Sequence, residues 1–239
     1  MNRLSNLLLS NVPKYELTIP STKKKSTYRP FLVKEEKILL LAQQSNNDSD
    51  MIRAIKNIIE SCVDDVTNVG NMPLFDIEYM FLQIRSKSVG EIVEPTIICP
   101  STDESISVSV LINDIEVTYN KDHKKTISLS DDIAVTLKYP SLNIINENNT
   151  SMDYTDPSTF YSIVADCIEQ VETKEESIDV STLEREEVLE FVDNLTTEQF
   201  ENLIDFFITA PKVEHEISYT TSDGVERQVI LSGLSDFFG

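Results

Sequence analysis

One stretch decides the fold class: Ser105-Ile106-Ser107-Val108-Ser109-Val110-Leu111-Ile112, in which every second residue is a large aliphatic one. A period of two places alternate side chains on the same face of a β-strand. The same alternation returns at residues 133–139, and turn-forming residues occupy positions 120–122 between the two stretches. We therefore predict an antiparallel β region over residues 93–145.

The residues before this β region follow a helical period instead. Over residues 31–92, apolar positions recur every three or four residues, as they do on one face of an α-helix. The clearest set is Ile52, Ile55, Ile59 and Cys62. The aliphatic run at 38–41 predicts a short, largely buried helix, and Pro73 and Gly90 bound a third helix. We therefore expect residues 31–92 to be a helical region.

A polar break at residues 146–153 predicts a boundary, and an acidic helical region follows it at residues 154–239. Within that region, Thr196 and Gln199 have the spacing of a capping box ahead of an apolar run. Residues 222–224 separate two alternating segments, which predicts a terminal β-hairpin. The predicted class is α+β, with N-terminal helices, a central antiparallel β meander, and C-terminal helices followed by a β-hairpin.

The charge of the chain is large and unevenly distributed. Its 239 residues include 41 acidic and 20 basic ones, which gives a net charge of −21. Such a chain repels nucleic-acid phosphates and anionic lipid headgroups, so we expect neither nucleic-acid binding nor membrane binding. Residues 1–30 are basic and contain three prolines and the triplet Lys23-Lys24-Lys25. This composition predicts an extended basic arm that becomes ordered against an acidic partner.

Residue types that usually carry catalysis are sparse. His123 and His215 belong to no metalloenzyme motif, so both are expected at the surface. Five glycines form no phosphate-binding loop and no nucleophile elbow. Cys62, Cys99 and Cys167 are widely spaced, which indicates a reducing compartment rather than a disulfide framework. We therefore predict no catalytic residue, no metal or cofactor site and no small-molecule substrate.

Four segments carry a resemblance to a known family. The most specific is Tyr28-Arg29-Pro30-Phe31-Leu32-Val33-Lys34-Glu35-Glu36-Lys37-Ile38-Leu39-Leu40. The second is Glu78-Tyr79-Met80-Phe81-Leu82-Gln83-Ile84-Arg85-Ser86-Lys87-Ser88-Val89-Gly90-Glu91. The others are residues 133–140 and the closing Gly233-Leu234-Ser235-Asp236-Phe237-Phe238. Over about residues 28–238, the chain resembles the baseplate hub protein family of T-even-type contractile-tailed bacteriophages.

This resemblance implies a structural or assembly component of the tail baseplate hub, which contacts other hub or tail proteins. It also implies assembly in the host cytoplasm and a place in the virion tail baseplate. One alternative is an assembly chaperone that is absent from the mature virion, and a remote one is an uncharacterised hydrolase. Family members often carry Cys-x-x-Cys pairs at two hairpins. Here Cys99 stands alone at the first, and Thr220-Thr221-Ser222-Asp223 occupies the second, so we expect both to be metal-free.

The candidate partner-binding residues form two groups: Arg29, Pro30 and Phe31, and Leu234, Phe237 and Phe238. The first group lies where the predicted arm meets the first helix, and it is either a packed helix entry or an anchor for a hub partner. The second group either packs on this chain or enters a partner. Burying two phenylalanine side chains stabilises a protein or an interface by roughly 3–6 kcal/mol, so an exposed pair would be costly.

Overall fold

The described residues form both α-helices and antiparallel β-sheets, which confirms the predicted α+β class. The structure is a computed structural model that describes residues 11–45, 47–147 and 157–238. These residues form two compact units. Unit 1 contains the described residues up to Val69, together with Phe75–Thr118 and the residues from Lys212 onward. Unit 2 contains Gly70–Leu74 and Tyr119–Pro211.

The described helices and strands have the following bounds. The helices are α1 (Val33–Ser45), α2 (Asp48–Cys62), α3 (Leu74–Ser88), α4 (Leu142–Glu147), α5 (Pro157–Cys167), α6 (Arg185–Asp193), α7 (Thr197–Thr209) and α8 (Gly233–Phe238). The strands are β1 (Tyr15–Thr18), β2 (Lys25–Tyr28), β3 (Ile92–Val93), β4 (Thr96–Ile98), β5 (Ser105–Ser107), β6 (Val110–Leu111), β7 (Glu116–Thr118), β8 (Thr126–Ser128), β9 (Ile133–Leu137), β10 (Ile168–Thr173), β11 (Ser177–Asp179), β12 (Lys212–Thr220) and β13 (Glu226–Ser232).

Helices α2 and α3 supply much of the core of unit 1. Helix α2 begins after Asn47, whose side-chain oxygen accepts the Ser49 N–H at 2.9 Å and so caps the helix. The three- and four-residue spacing of its aliphatic residues places them on one buried face, as the sequence predicted. Helix α3 is instead covered on all sides, because none of its residues is exposed. The most buried aliphatic residues of the two helices are Ile58, Ile59, Ile77, Met80, Leu82 and Ile84.

The N-terminal hairpin differs from the extended arm expected at residues 1–30. Strand β1 pairs antiparallel with β2, with Tyr15 opposite Tyr28. Alternate residues of the hairpin face the core, so that Leu17 is 5% exposed and Tyr28 is 2% exposed. The Asp76 carboxylate accepts hydrogen bonds from the backbone N–H and the hydroxyl of Ser21 in the turn. Burial of these apolar residues stabilises the hairpin, although the proline-rich composition favours an extended chain. Residues 1–10 of the predicted arm lie outside the described residues.

The β region of residues 93–145 is antiparallel, but its strands are distributed over four sheets instead of one meander. Strands β3 and β6 form one ribbon, and β4 and β5 form a second. Strand β7 pairs with β12, which also pairs with β13 in the predicted terminal hairpin. This return of the chain explains why residues from Lys212 onward belong to unit 1 and not to the region predicted at 154–239.

Unit 2 contains a four-stranded sheet in the order β11-β10-β9-β8, accompanied by helices α4 to α7. The predicted capping box of α7 is confirmed, because the Gln199 N–H donates to Thr196 Oγ1 and the Thr196 N–H donates to Gln199 Oε1. Core residues of this unit include Val135, Leu137, Ile163, Val164, Leu203 and Phe206. Most of the polar break predicted at 146–153 lies outside the described residues, and the two units divide instead after Thr118 and Pro211.

Candidate partner-binding surfaces

The predicted anchor residue Arg29 is held inside the entry of helix α1. Its guanidinium Nη2 lies 2.9 Å from Glu35 Oε1, and its Nη1 donates to the Pro30 carbonyl oxygen. The second carboxylate oxygen of Glu35 accepts the Leu32 N–H at 2.8 Å, which satisfies an orphan donor of the first helical turn. Burial by itself would raise the pKa of Glu35, but the hydrogen bonds from Arg29 and Leu32 hold that pKa below its usual value.

The backbone around Arg29 is fixed to the ends of the neighbouring helices. The Arg29 N–H donates to the Cys62 carbonyl oxygen at the end of α2, and the Phe31 N–H donates to Ser88 Oγ at the end of α3. Phe31 is 9% exposed, and Pro30 is half-buried. Arg29, Pro30 and Phe31 therefore form the packed and capped helix entry, which was one of the two alternatives. Partner binding by these residues stays a hypothesis.

The C-terminal tail forms helix α8 and packs on unit 1. Phe237 is 2% exposed, and Leu234 is half-buried. Asp236 accepts the Ser232 N–H at 2.8 Å, and Gly233, with a φ of 71°, allows the chain to turn from β13 into the helix. Helix α8 ends at Phe238, whose side chain lies outside what the structure describes. Phe237 thus contributes to the core of this chain, whereas a role of the tail in partner binding remains a hypothesis.

Glu78 of helix α3 anchors the tail. Its carboxylate accepts the backbone N–H of Leu234 at the start of α8. Burial raises the pKa of Glu78 to about 7, and the hydrogen bond from Leu234 opposes that rise. The contact therefore links the second and the fourth of the segments that carry the family resemblance.

Two hairpin turns meet at the positions where the resemblance implies cysteine pairs. The Glu104 carboxylate, at the end of the β4–β5 turn, accepts the N–H of Ser222 at 2.9 Å and its hydroxyl at 2.5 Å. Ser222 lies in the β12–β13 turn. In the same turn, the Asp223 carboxylate pairs with Arg227 at 2.7 Å. The hydrogen bond from Arg227 holds the pKa of Asp223 well below its usual range.

Cys99 is the single thiol at these turns. It is 0% exposed and lies 3.3 Å from Ser101 Oγ, and this hydrogen bond contributes most to lowering the pKa of the thiol to about 6. Within the part of the chain that the structure describes, no group of three or more His, Cys, Asp or Glu side chains is placed to hold a metal ion. The two turns are instead joined by the hydrogen bonds from Ser222 to Glu104; the metal-free state of the protein stays a prediction.

The same turn occurs twice in unit 1, and it was not predicted from the sequence. Residues 19–24 and 99–104 both contain Pro-Ser-Thr after the first position. In both turns, the first N–H donates to the sixth carbonyl oxygen and the fifth N–H donates to the first carbonyl oxygen. The fifth residues, Lys23 and Asp103, have φ values of 56° and 55°. The shared tripeptide was the signal that could have identified these turns.

His123 is not the surface residue that the sequence predicted. Its Nδ1 lies 2.9 Å from Thr209 Oγ1, and its Nε2 lies 3.0 Å from the Tyr139 hydroxyl. Thr209 donates its own hydroxyl proton to the Asp205 carbonyl oxygen, so it accepts from His123 Nδ1–H. Nε2 is then unprotonated and accepts from Tyr139. Burial, with the nearby charge of Lys125, lowers the pKa of His123 and keeps the ring neutral.

Helix α1 exposes aliphatic side chains, contrary to the prediction that the run at 38–41 is largely buried. Val33 is 80% exposed, Leu41 is 55% exposed and Leu40 is 52% exposed. The buried side of the helix carries Glu35 and Ala42, which are seven residues apart and lie on one face. The run is exposed because that face, and not the aliphatic one, is turned toward the protein.

The structure therefore describes an α+β protein of two compact units, with hydrogen-bonded turns and exposed aliphatic side chains on helix α1. A model of the T4 bacteriophage base plate protein family matches residues 12–239, and the chain belongs to this family. It is therefore a bacteriophage baseplate protein with a structural or assembly role, and membership implies contacts with other tail proteins. Neither the curated proteins nor the solved structures that were compared gave a match. No described helix has the length and apolar character needed to cross a membrane.

Proposed function

We propose that this protein is a structural or assembly component of the baseplate hub and that it acts by protein–protein interaction without catalysis. The observation that carries the proposal is the family match over residues 12–239, which includes all but the first residues of the chain. The assignment to the hub, as distinct from other parts of the baseplate, is supported by the four segments whose sequence resembles that of hub proteins.

The positions of those segments support a shared fold. Residues 28–40 form the entry to α1, where Arg29 and Glu35 pair, and residues 78–91 include many of the buried residues of α3. Residues 233–238 dock on α3 through Glu78. Most resemblance within unit 1 therefore concerns residues that stabilise the fold, so a hub protein of this type would present its partner contacts on the remaining surface.

The net negative charge of the chain supports the proposal that its partners are proteins. A net charge of −21 disfavours nucleic acid and anionic membranes, whereas a tail protein with basic surfaces would be attracted by the acidic part of the chain. Assembly would take place in the host cytoplasm, and the finished site would be the virion tail baseplate.

Mass spectrometry of purified virions, together with an amber mutant of this gene, tests the proposal. We expect peptides of this protein at a constant ratio to known hub proteins in wild-type virions, and hub intermediates that fail to mature in the mutant. The same mutant grown in a suppressor host, which restores the full-length protein, serves as the control and should give normal particles. A hub defect with no peptides in virions would identify the chaperone alternative. Normal infectious particles from the mutant would contradict both.

A further inference from the structure

We propose that the open edge of strand β13 binds an extended segment of a partner tail protein. The segment adds to the sheet as an antiparallel strand, and its solvent-facing side chains are basic. The open edge consists of the outward backbone groups of Glu226, Gln228 and Ile230. The inference rests on the proposed function and deepens it, because it gives the binding surface, the conformation and the charge of one protein partner.

Alternate backbone groups of β13 point away from β12. In an antiparallel pair, residues opposite each other alternate between those that exchange hydrogen bonds and those that do not. At the end of the hairpin, the Thr221 N–H donates to the Val225 carbonyl oxygen, so the odd-numbered residues of β13 bond to β12. The Ser232 N–H instead donates to a carboxylate of α8 at 2.8 Å. Both contacts place the N–H and C=O groups of the even-numbered residues on the outer edge.

This edge has no partner and little protection. Among the described residues, β13 pairs only with β12. It has seven residues, whereas every other edge strand of the described sheets has four or fewer. Its register is unbroken, and it contains neither proline nor lysine. Short length, bulges, proline and lysine are the usual protection against pairing with another chain. A long edge without them fits a strand that is paired in the assembled baseplate.

The exposed sheet face beside this edge is acidic. The register places alternate residues of β7, β12 and β13 on this face, and the charged ones are Glu116, Glu214, Glu216, Glu226 and a single basic residue, Lys212. No described ion pair includes any of the four glutamates. Glu214 lies directly opposite Glu116, and such like-charge pairs destabilise a sheet. Lysine or arginine on an added strand offsets this repulsion.

The outward groups also select the conformation of the partner. A helix bonds its own backbone groups internally, whereas an extended segment offers the alternating donors and acceptors that this edge lacks. Ile230 is 58% exposed on the acidic face, so an apolar residue of the segment fits opposite it. A second copy of this chain is disfavoured, because pairing two β13 edges would join two acidic faces of molecules that each carry −21.

Amide hydrogen exchange of the full-length protein, followed by NMR, tests the proposal. The probe is a blocked Thr-Lys-Thr-Val-Thr-Lys-Thr peptide, whose lysines and valine share one face, and the control peptide has glutamate in place of lysine. In the free protein, the Gln228 and Ile230 amides should exchange faster than those of Val229 and Leu231. The lysine peptide should slow the first two by about tenfold or more, and the glutamate peptide should not.

N-methylated peptides separate backbone pairing from charge attraction. In an antiparallel register, the lysines and the valine direct their N–H groups to β13, and the threonines direct theirs away. Methylating the lysine and valine nitrogens should therefore abolish the protection, whereas methylating the threonine nitrogens should retain it. Any other pattern would overturn the proposal, and this experiment needs only the wild-type protein.

Variants locate the binding on β13. Ile230→Pro removes an outward N–H but no bond to β12, so it should fold and lose binding of the lysine peptide, whereas Ile230→Thr should retain it. Glu226→Lys should weaken that binding by about threefold or more and favour the glutamate peptide. Ile92→Ser is the matched control, since Ile92 of β3 is 57% exposed and lies outside this sheet; it should change nothing.

Other occupants would give different results. Protection of Gln228 and Ile230 that rises with protein concentration without peptide would identify a second copy. Protection in the free protein that deletion of residues 1–10 removes would identify that segment as the occupant. Either result, or equal effects of the lysine and glutamate peptides, would overturn the proposal. Each leaves the virion test of the proposed function intact, because that test does not depend on β13.

Discussion

Replacing Arg29 with methionine removes the cation from a carboxylate that stays buried. The side chains of Arg29 and Glu35 are 15% and 3% exposed, and methionine retains much of the apolar length of the arginine. The substitution therefore removes the ion pair with little loss of apolar packing. It also removes the hydrogen bond from the guanidinium to the Pro30 carbonyl oxygen.

The expected cost is about 3 kcal/mol at pH 7. Removing one partner of a buried ion pair usually costs about 3–5 kcal/mol, because the other charge is left uncompensated. The lower end applies here, since Lys34 Nζ lies 3.2 Å from Glu35 Oε1 and the Leu32 N–H still donates to Oε2. In the double variant Arg29→Met/Glu35→Gln, no buried charge remains. Its cost should therefore be smaller than the sum of the two single costs.

The cost should also depend on pH. In the wild-type protein the pKa of Glu35 is lowered, so its contribution to stability is present above the unfolded pKa and is lost as the pH falls through the folded pKa. In Arg29→Met, burial is no longer opposed by Arg29, and the pKa of Glu35 should rise. The difference in stability between the two proteins is then largest near neutral pH and shrinks in acid.

Urea unfolding followed by far-UV circular dichroism measures this difference, because the chain has no tryptophan to report by fluorescence. Arg29→Lys is the control: it retains the charge but not the paired donors, and it should lose less than Arg29→Met. A cost below about 1 kcal/mol at pH 7, or a cost that stays constant between pH 7 and acid, would refute the role assigned to the ion pair.

Three further predictions follow from buried groups. Phe237→Ala should destabilise the isolated protein by about 3–4 kcal/mol in urea unfolding, whereas an unchanged stability would mean that the tail is not core. Glu78→Gln should match wild type below the unfolded carboxyl pKa and become more stable than wild type as the pH rises from there to about 7, by roughly 3 kcal/mol; equal pH profiles would exclude the raised pKa. Because burial lowers the pKa of His123, its ring should titrate below the usual pKa in NMR spectra, and its contribution to stability should be full above the unfolded pKa and fall in acid; a normal titration would contradict the burial of the ring.

The sequence predicted elements whose residues interact locally. The period of α2, the capping box at Thr196 and the terminal hairpin depend on neighbours within a few residues, and all are present. The pairing of β12 with β7 was not predictable, because Glu214 and Glu116 are 98 residues apart and a strand pattern does not specify its partner. For the same reason, the sequence suggested one meander where the structure has several sheets.

The candidate site shows a different limit of sequence reasoning. An aliphatic run such as 38–41 is most often buried, but burial depends on which face of the helix meets the rest of the protein. Here Glu35 is the residue that faces inward. This orientation is favourable because Arg29, which precedes Glu35 by six residues, supplies the compensating positive charge. The same ion pair thus explains both the buried acid and the exposed leucines.

The residues that carry the family resemblance therefore differ from those that would recognise a partner. Arg29 and Glu78 are inside the segments of family resemblance, and each satisfies a backbone or charged group of the same chain. Substituting them would therefore impair binding indirectly, through the fold. Leu40 and Leu41 make little such contribution, because about half of each side chain is already in water. A variant at these leucines that keeps its stability but loses assembly would place partner recognition on the exposed aliphatic side chains of α1, independently of the stability of the protein.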